Sequence, residues 1–344
     1  MTQSREAVLI VGAGPIGLAC AIAARRRGIS PLVIDQGAIA ESIVRYPVGM
    51  TFFTTPDRLE IGDHPLVCAG QKATREEAMM YYRGVARTER LRVRPYVRFL
   101  GGRRVGDGIE CRLEGALGSR REELVVADRL VLATGYFGQP NRLGVPGEDR
   151  PHVSHYSEEP HRLGGLDVVI VGAKNSAVEL ALGAFRAGAR VTLVHRAPTM
   201  KPTVKYWLKP DFDNRVKAGE IAARWSTVVE SIEADEVVIR GPDGVTRLPA
   251  DRVFLLTGYQ PDFALLRSVG IEVDEASGRP THDPATLETN VSGVYLAGSL
   301  TAGRKISEVF IENGRFDGEK IFGDAGARAS AQGSIDDIFR PAGE

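Results

Sequence analysis

"VLIVGAGPIGLACAI", residues 8–22, decides the fold. Residues 7–12 form a β-branched apolar run, the pattern of a strand buried on both faces. Residues 15–27 read as a helix, with Pro15 in its first turn. "SPLVID" (30–35) reads as a second, parallel strand. Together these make a βαβ unit. Between strand and helix, Gly12, Gly14 and Gly17 spell G-x-G-x-x-G, and Asp35 closes the next strand with Gln36 behind it. Gly12 permits the tight turn, Gly14 lets a pyrophosphate approach the backbone, and Gly17 lets the helix pack close. The helix N-terminus then faces the phosphates. Asp35 can accept hydrogen bonds from a ribose hydroxyl and would repel a 2′-phosphate, which favours FAD or NAD over NADP.

The pattern recurs at "VVIVGAKNSAVEL" (168–180). Here Gly172 keeps the tight turn, Lys174 and Ala177 replace the second and third glycines, and Asn175 and Ser176 add polar groups. The following strand, "RVTLV", runs into His195-Arg196 and carries no acid. A guanidinium there can pair with a 2′-phosphate, which points to NADPH. Lys201 and Lys205 add positive charge beyond it. The altered turn suggests a coenzyme that docks reversibly.

Two further strands echo each other. "DRLVLATGYFGQP" (128–140) holds Thr134-Gly135, and "DRVFLLTGYQPD" (251–262) holds Thr257-Gly258. Alternating segments at 92–131 and 221–248 read as small antiparallel meanders. "TREEAMMYYRGVARTERL" (74–91) reads as a helix with Thr74 and Glu77 as a capping box. "TNVSGVYLAGSLTAG" (289–303) contains Gly298-Ser299, a helix is expected over about 305–321, and the tail from Gly323, rich in Gly, Ala and Ser, reads as irregular until "SIDDIF". An internal repeat of this kind implies two related nucleotide-binding domains. The expectation is an α/β chain of two Rossmann-like three-layer domains, the NADPH domain inserted in the FAD domain. Residues 1–138 and 263–344 make the FAD-binding domain and 139–262 the NADPH-binding domain.

The 344 residues suffice for two domains, and Lys+Arg balances Asp+Glu at 44 each, so no basic field argues for nucleic acid. No apolar run has transmembrane length, and the N-terminus enters a strand at once, so a cytoplasmic location is expected. Cys20, Cys68 and Cys111 form no C-x-x-C and no zinc pattern, and no metal site is expected.

Several strings carry a resemblance. "RYPVGMTFFTTPDRLEIGD" (45–63), "TREEAMMYYR" (74–83), "GAKNSAVE" (172–179) and "VFIENGRFDG" (309–318) resemble the YpdA family of bacillithiol disulfide reductases, within the thioredoxin-reductase-like flavoproteins. The similarity spans essentially the whole chain. It implies FAD held by Gly12, Gly14, Pro15, Gly17, Asp35 and Gln36, with Tyr46, Pro47, Met50 and Thr51 along the isoalloxazine. Thr134, Gly135, Gly298 and Ser299 would complete the FAD site, and a helix beginning near Ile306 would face the flavin carbonyl edge. It implies NADPH at Gly172, Lys174, Asn175, Ser176, Ala177, His195, Arg196, Thr257 and Gly258. Thioredoxin reductases carry a C-x-x-C that is missing here. Many YpdA members have a Cys at the place of Ile16, which puts a mechanism based on that thiol in doubt.

The function expected is an NADPH-dependent FAD oxidoreductase passing electrons to an external acceptor, foremost a low-molecular-weight disulfide. A ferredoxin- or flavodoxin-type acceptor protein is an alternative. A flavin monooxygenase is another, although "VPGEDRPH" has Val145 for the expected Phe and His152 one place late. A redox-sensing nucleotide-binding protein is the non-enzyme alternative. A homodimer or higher homo-oligomer is the family expectation.

Overall fold

The computed structural model describes residues 3–118, 120–305 and 308–339. They fall into two compact units. The first comprises 1–44, 54–139 and 259–344, and the second 45–53 and 140–258. The short segment Arg45–Phe53 thus groups with the second unit, although the sequence reading counts it in the first.

In the first unit, Gln3–Val11 lies between Pro31–Ile34 and Glu122–Leu132, parallel to both. Arg92–Arg94 extends the sheet parallel to Pro31–Ile34. The strand Glu122–Leu132 splits its other edge between two partners. Residues 122–127 pair antiparallel with Gly108–Gly115, and residues 130–132 pair parallel with Val294–Leu296. Val97–Val105 completes the meander. Side chains alternate along the strands, so Leu9, Val11, Leu130 and Leu132 enter one core together with Phe99, Ile109 and Leu296. Val8 and Ile10 are buried on the opposite face.

The second unit repeats this order. Ile221–Arg224, Arg190–Val194, Asp167–Val171, Arg252–Leu255 and Val153–Ser154 form one parallel sheet. The sequence places 221–224 in the meander; it pairs instead with Arg190–Val194, and the meander is confined to 228–249. The strand Asp167–Val171 shows why the unit is three layers thick. Val168 and Ile170 pack with Ala177, Val178 and Ala181 of the helix Asn175–Arg186, whereas Val169 and Val171 pack with Val229, Val237 and Ile239 of the meander.

The helix Arg75–Thr88 starts at the Thr74–Glu77 capping box, with both reciprocal bonds made. The expected helix at 305–321 is instead two short ones, Ile311–Gly314 and Asp317–Phe322. Asn313 is buried in the first of them and caps its start. Its Oδ1 accepts from Phe310 N at 2.8 Å and its Nδ2 donates to Glu308 O at 2.9 Å. Gly318 lets the second of these helices press on the helix Pro15–Arg25, since a Cβ there would lie 2.8 Å from Cys20 Cα. The tail is not irregular. Ala325–Phe339 is helical and buries Ala331. Its alanines favour helix, and packing of the small-residue face offsets the cost of its glycines. Among the described residues no helix is long and apolar enough to cross a membrane.

Candidate nucleotide-binding sites

All four parallel strands around the first glycine turn end on the same edge of their sheet. Gly12, Asp35, Ala133 and Ala297 each directly follow a strand. That edge is where open α/β sheets bind nucleotides. Gly12 N donates to Ile34 O (2.7 Å), and Ala133 N to Val11 O (2.8 Å). Gly12 has φ +113°, and a Cβ on it would lie 2.4 Å from Ala133 O. A Cβ on Gly17 would lie 1.9 Å from Gly12 O. The protein itself therefore demands glycine at both places.

Gly14 is different. Its φ of −74° suits any residue, and nothing lies within 4 Å of a Cβ built there. Among the described residues no contact calls for glycine at 14, and the open space fits a dinucleotide pyrophosphate. The helix behind it begins with Pro15, has no side-chain cap, and has no acid in its first turn. Such an end favours an anion. Asp35 is aimed by two backbone amides, Ala13 N to Oδ2 (2.7 Å) and Gly37 N to Oδ1 (2.8 Å). Gln36 lies near Gly138. Thr134 and Gly135 sit at the end of Glu122–Leu132, with Gly135 at φ +64° and facing the Ser299 hydroxyl.

Gly298 packs on the first turn, where a Cβ would meet Ile16 Cδ1 at 2.7 Å. Its N–H donates to Asp317 Oδ2 at 2.6 Å, and Ser299 is buried beside it. The Asp317 carboxylate lies in the quoted "VFIENGRFDG", but the sequence gives it no role, because its partner is a backbone amide 19 residues away. Burial pushes its carboxyl up to about 7, against the pull of the Gly298 N–H and Lys320. Ile306 lies outside the described residues.

The second turn repeats the backbone contacts of the first. Gly172 N donates to Val194 O (2.9 Å), Leu256 N donates to Val171 O (2.8 Å), and a Cβ on Gly172 would lie 2.4 Å from Leu256 O. His195 stands where Asp35 stands in the first. Each follows its strand directly, and each donates its N–H to the neighbouring strand end, Arg224 O and Arg94 O respectively. Ala177 occupies the close-packing position and is buried. Thr257 Oγ1 donates to Asn141 O (2.6 Å), and Gly258 O accepts from Asn141 N (2.9 Å), so both hold the chain rather than point outward.

Around this turn the charges are of one sign. Desolvation, then Lys201 and Arg196, lower the pKa of Lys174. Desolvation, then Arg196 and Lys201, lower that of His195. His195 Nε2 is buried without a hydrogen-bond partner. Four nitrogenous groups crowd together at a cost that an anion would relieve. Lys205 is not one of them. It is buried and paired with Glu179 at 2.6 Å. Tyr46, Pro47, Met50 and Thr51 lie in the segment that groups with this second unit. Thr51 O accepts from Lys205 Nζ at 2.7 Å.

A family model described as pyridine nucleotide-disulphide oxidoreductase matches residues 9–298. Bacilliredoxin reductase Bdr of Bacillus subtilis is 38% identical over 318 residues, 92% of this chain and 96% of the relative. The solved bacillithiol disulfide reductase Bdr (YpdA) from Bacillus cereus superposes with a TM-score of 0.89 at 36% identity, over 97% of this chain and 100% of that one. The chain belongs to the Bdr (YpdA) family of pyridine nucleotide-disulphide oxidoreductases. A ferredoxin–NADP reductase of Ignicoccus hospitalis is 30% identical over 307 residues, 86% of this chain and 90% of the relative. As a Bdr-family member the protein is a disulfide-reductase-like flavoprotein oxidoreductase, and the family implies FAD and NAD(P)H. It contains no cysteine pair.

Two outcomes test the first turn of this Bdr-family chain. Gly14→Val is expected to fold yet purify without flavin, because the space around a Cβ at 14 is open. Gly17→Val is expected not to fold. Flavin absorbance and circular dichroism separate the cases, and a yellow Gly14→Val protein would overturn the assignment.

Asp317 makes a pH prediction. Its folded pKa lies above the ordinary carboxyl value, so its contribution to stability is present in acid and is lost as pH rises through about 7. Asp317→Asn should gain on the wild type by roughly 2–3 kcal/mol between pH 5 and pH 8. Urea unfolding at the two pH values measures this, and parallel pH profiles would contradict it.

Proposed function

We propose that the protein is an NADPH-dependent FAD oxidoreductase that reduces a low-molecular-weight disulfide of the bacillithiol type, or a small redox protein carrying one. The observation that carries the coenzyme reading is the cluster of Lys174, His195, Arg196 and Lys201, set where the first turn has an acid. Asp35 holds FAD by its ribose, with the pyrophosphate over Gly14. His195 and Arg196 take the 2′-phosphate of NADPH, with Lys174 and Ser176 toward the pyrophosphate. Bound FAD would supply the two-electron relay between coenzyme and acceptor. Overall, one hydride from NADPH and one proton convert a disulfide into two thiols. The relatives' names, bacilliredoxin reductase and bacillithiol disulfide reductase, support the substrate class. The ferredoxin–NADP reductase relative supports a second reading, in which the acceptor is a ferredoxin. NADPH oxidation measured against bacillithiol disulfide, a bacilliredoxin and ferredoxin decides between them. Turnover on ferredoxin alone would overturn the disulfide reading.

Cys20 and Cys111 are poorly suited to attack a disulfide, because the thiolate is the nucleophile. Burial, then the nearby Asp317 and Glu319 charges, raises Cys20 well above the ordinary thiol range. Burial raises Cys111 to about 12. Cys68 is half-buried and donates to Gly70 O at 3.0 Å. Ile16 fills the space between Gly298 and Gly314.

Arg196→Ala should raise the KM for NADPH by roughly tenfold to a hundredfold, the loss of one charge-assisted bond, and leave NADH use nearly unchanged. Equal weakening of both coenzymes would make Arg196 a structural residue. A Cys20→Ala/Cys68→Ser/Cys111→Ala protein should retain its rate of flavin reduction in stopped-flow and its steady-state turnover on the disulfide. Loss of turnover, with a substrate–cysteine adduct found by mass spectrometry in a single-cysteine variant, would refute a thiol-free mechanism.

A further inference from the structure

Lys205 is a buried charged side chain that joins two separate segments of the second unit. It is 5% exposed. Its backbone N–H donates to Asn175 Oδ1 at 2.8 Å, and its ammonium donates to Glu179 Oε1 at 2.6 Å and to Thr51 O at 2.7 Å. Asn175 and Glu179 are four residues apart on the helix Asn175–Arg186, so they share one face. Asn175 is the first residue of that helix, directly after Lys174 of the coenzyme turn. Thr51 lies in Arg45–Phe53, the segment that the family resemblance sets along the isoalloxazine. The segment is held at both ends as well. Arg45 lies 5.1 Å over the Tyr156 ring, and Phe53 stacks on Trp207, 6.0 Å between centroids and 18° between planes. These contacts are on the rim, whereas the Lys205 contact is buried.

An ion pair withdrawn from water is a costly way to stabilise a fold, and apolar residues of similar volume often do as well. Its particular use here is directional. One ammonium measures the distance between the coenzyme-turn helix and a backbone carbonyl of the flavin segment. We propose that Lys205 is a positioning residue: it fixes Thr51 to the helix of the coenzyme turn and transmits coenzyme occupancy to segment 45–53. The transmission rests on the reading that residues 174–177 bind NADPH. The fixing does not.

Removing Lys205 alone would strand Glu179, whose carboxyl burial already raises. The test therefore pairs Lys205→Met with Glu179→Gln, which leaves no unpaired charge. Hydrogen exchange is followed by mass spectrometry in the flavin-loaded protein, with and without NADP⁺, together with the NADP⁺ dissociation constant. In the double variant, segment 45–53 should exchange roughly tenfold faster, while Arg190–Val194 is unchanged. In the wild type NADP⁺ should slow the segment; in the variant it should not, although NADP⁺ still binds within roughly threefold of wild-type affinity. Wild-type exchange at 45–53 in the variant, or acceleration spread equally to Arg190–Val194, would overturn the fixing role. Equal NADP⁺ protection in both proteins would overturn the transmission. If NADP⁺ fails to bind the wild type, the coenzyme assignment and the transmission fall together, and the coenzyme-free exchange rates still decide the fixing role.

Discussion

Everything in this molecule is arranged around the closeness of backbone to backbone at two strand ends. At the first, the Gly12 Cα and Ala133 O are so near that no side chain fits between them, and the Gly12 carbonyl forbids a Cβ at Gly17. That crowding brings a helix end, a turn and a neighbouring strand end into one small volume. A flat anion can then meet several main-chain dipoles at once. At the second, Gly172 and Leu256 O repeat the crowding, but Ala177 carries a real methyl group. The second turn is therefore the looser of two copies of one device. Side-chain cations gather there, where the first turn has an oriented carboxylate.

The legible part of the structure was local. Gly12, Gly17 and Gly172 announce themselves because the chain cannot pass through those positions with another residue, and the alternating strands around them are buried on both faces. The capping box at Thr74 is equally local. What escaped the sequence depends on pairs far apart along the chain. Lys205 reads as a coenzyme lysine by proximity to Arg196, yet its partner Thr51 is 154 residues away. Asp317 reads as part of a family string, yet its carboxylate serves Gly298. Ile221–Arg224 reads as the start of a meander because a short apolar-polar run does not reveal which edge it will join. The C-terminal helix reads as irregular because its glycines and serines mask the helix-favouring alanines between them.

The zero net charge conceals a division of labour. The first turn offers a carboxylate oriented by two amides, and the second offers a group of cations that repel one another. The same scaffold thus presents opposite charge at two equivalent places by changing the residue after one strand. Cys20 and Cys111 are packing residues whose surroundings disfavour ionisation.

The divided edge of Glu122–Leu132 bears on how the chain is made. Its last three residues need Val294–Leu296 as a neighbour, a strand that leaves the ribosome more than 160 residues later. The second unit, by contrast, draws its whole sheet from residues 153–255. During synthesis the inserted unit can complete its sheet first, while the sheet that was begun earlier waits with one edge unfilled. An open edge is a site of mispairing. The antiparallel meander holds residues 122–127 of that edge, so the stretch left waiting for its partner is the short one at 130–132.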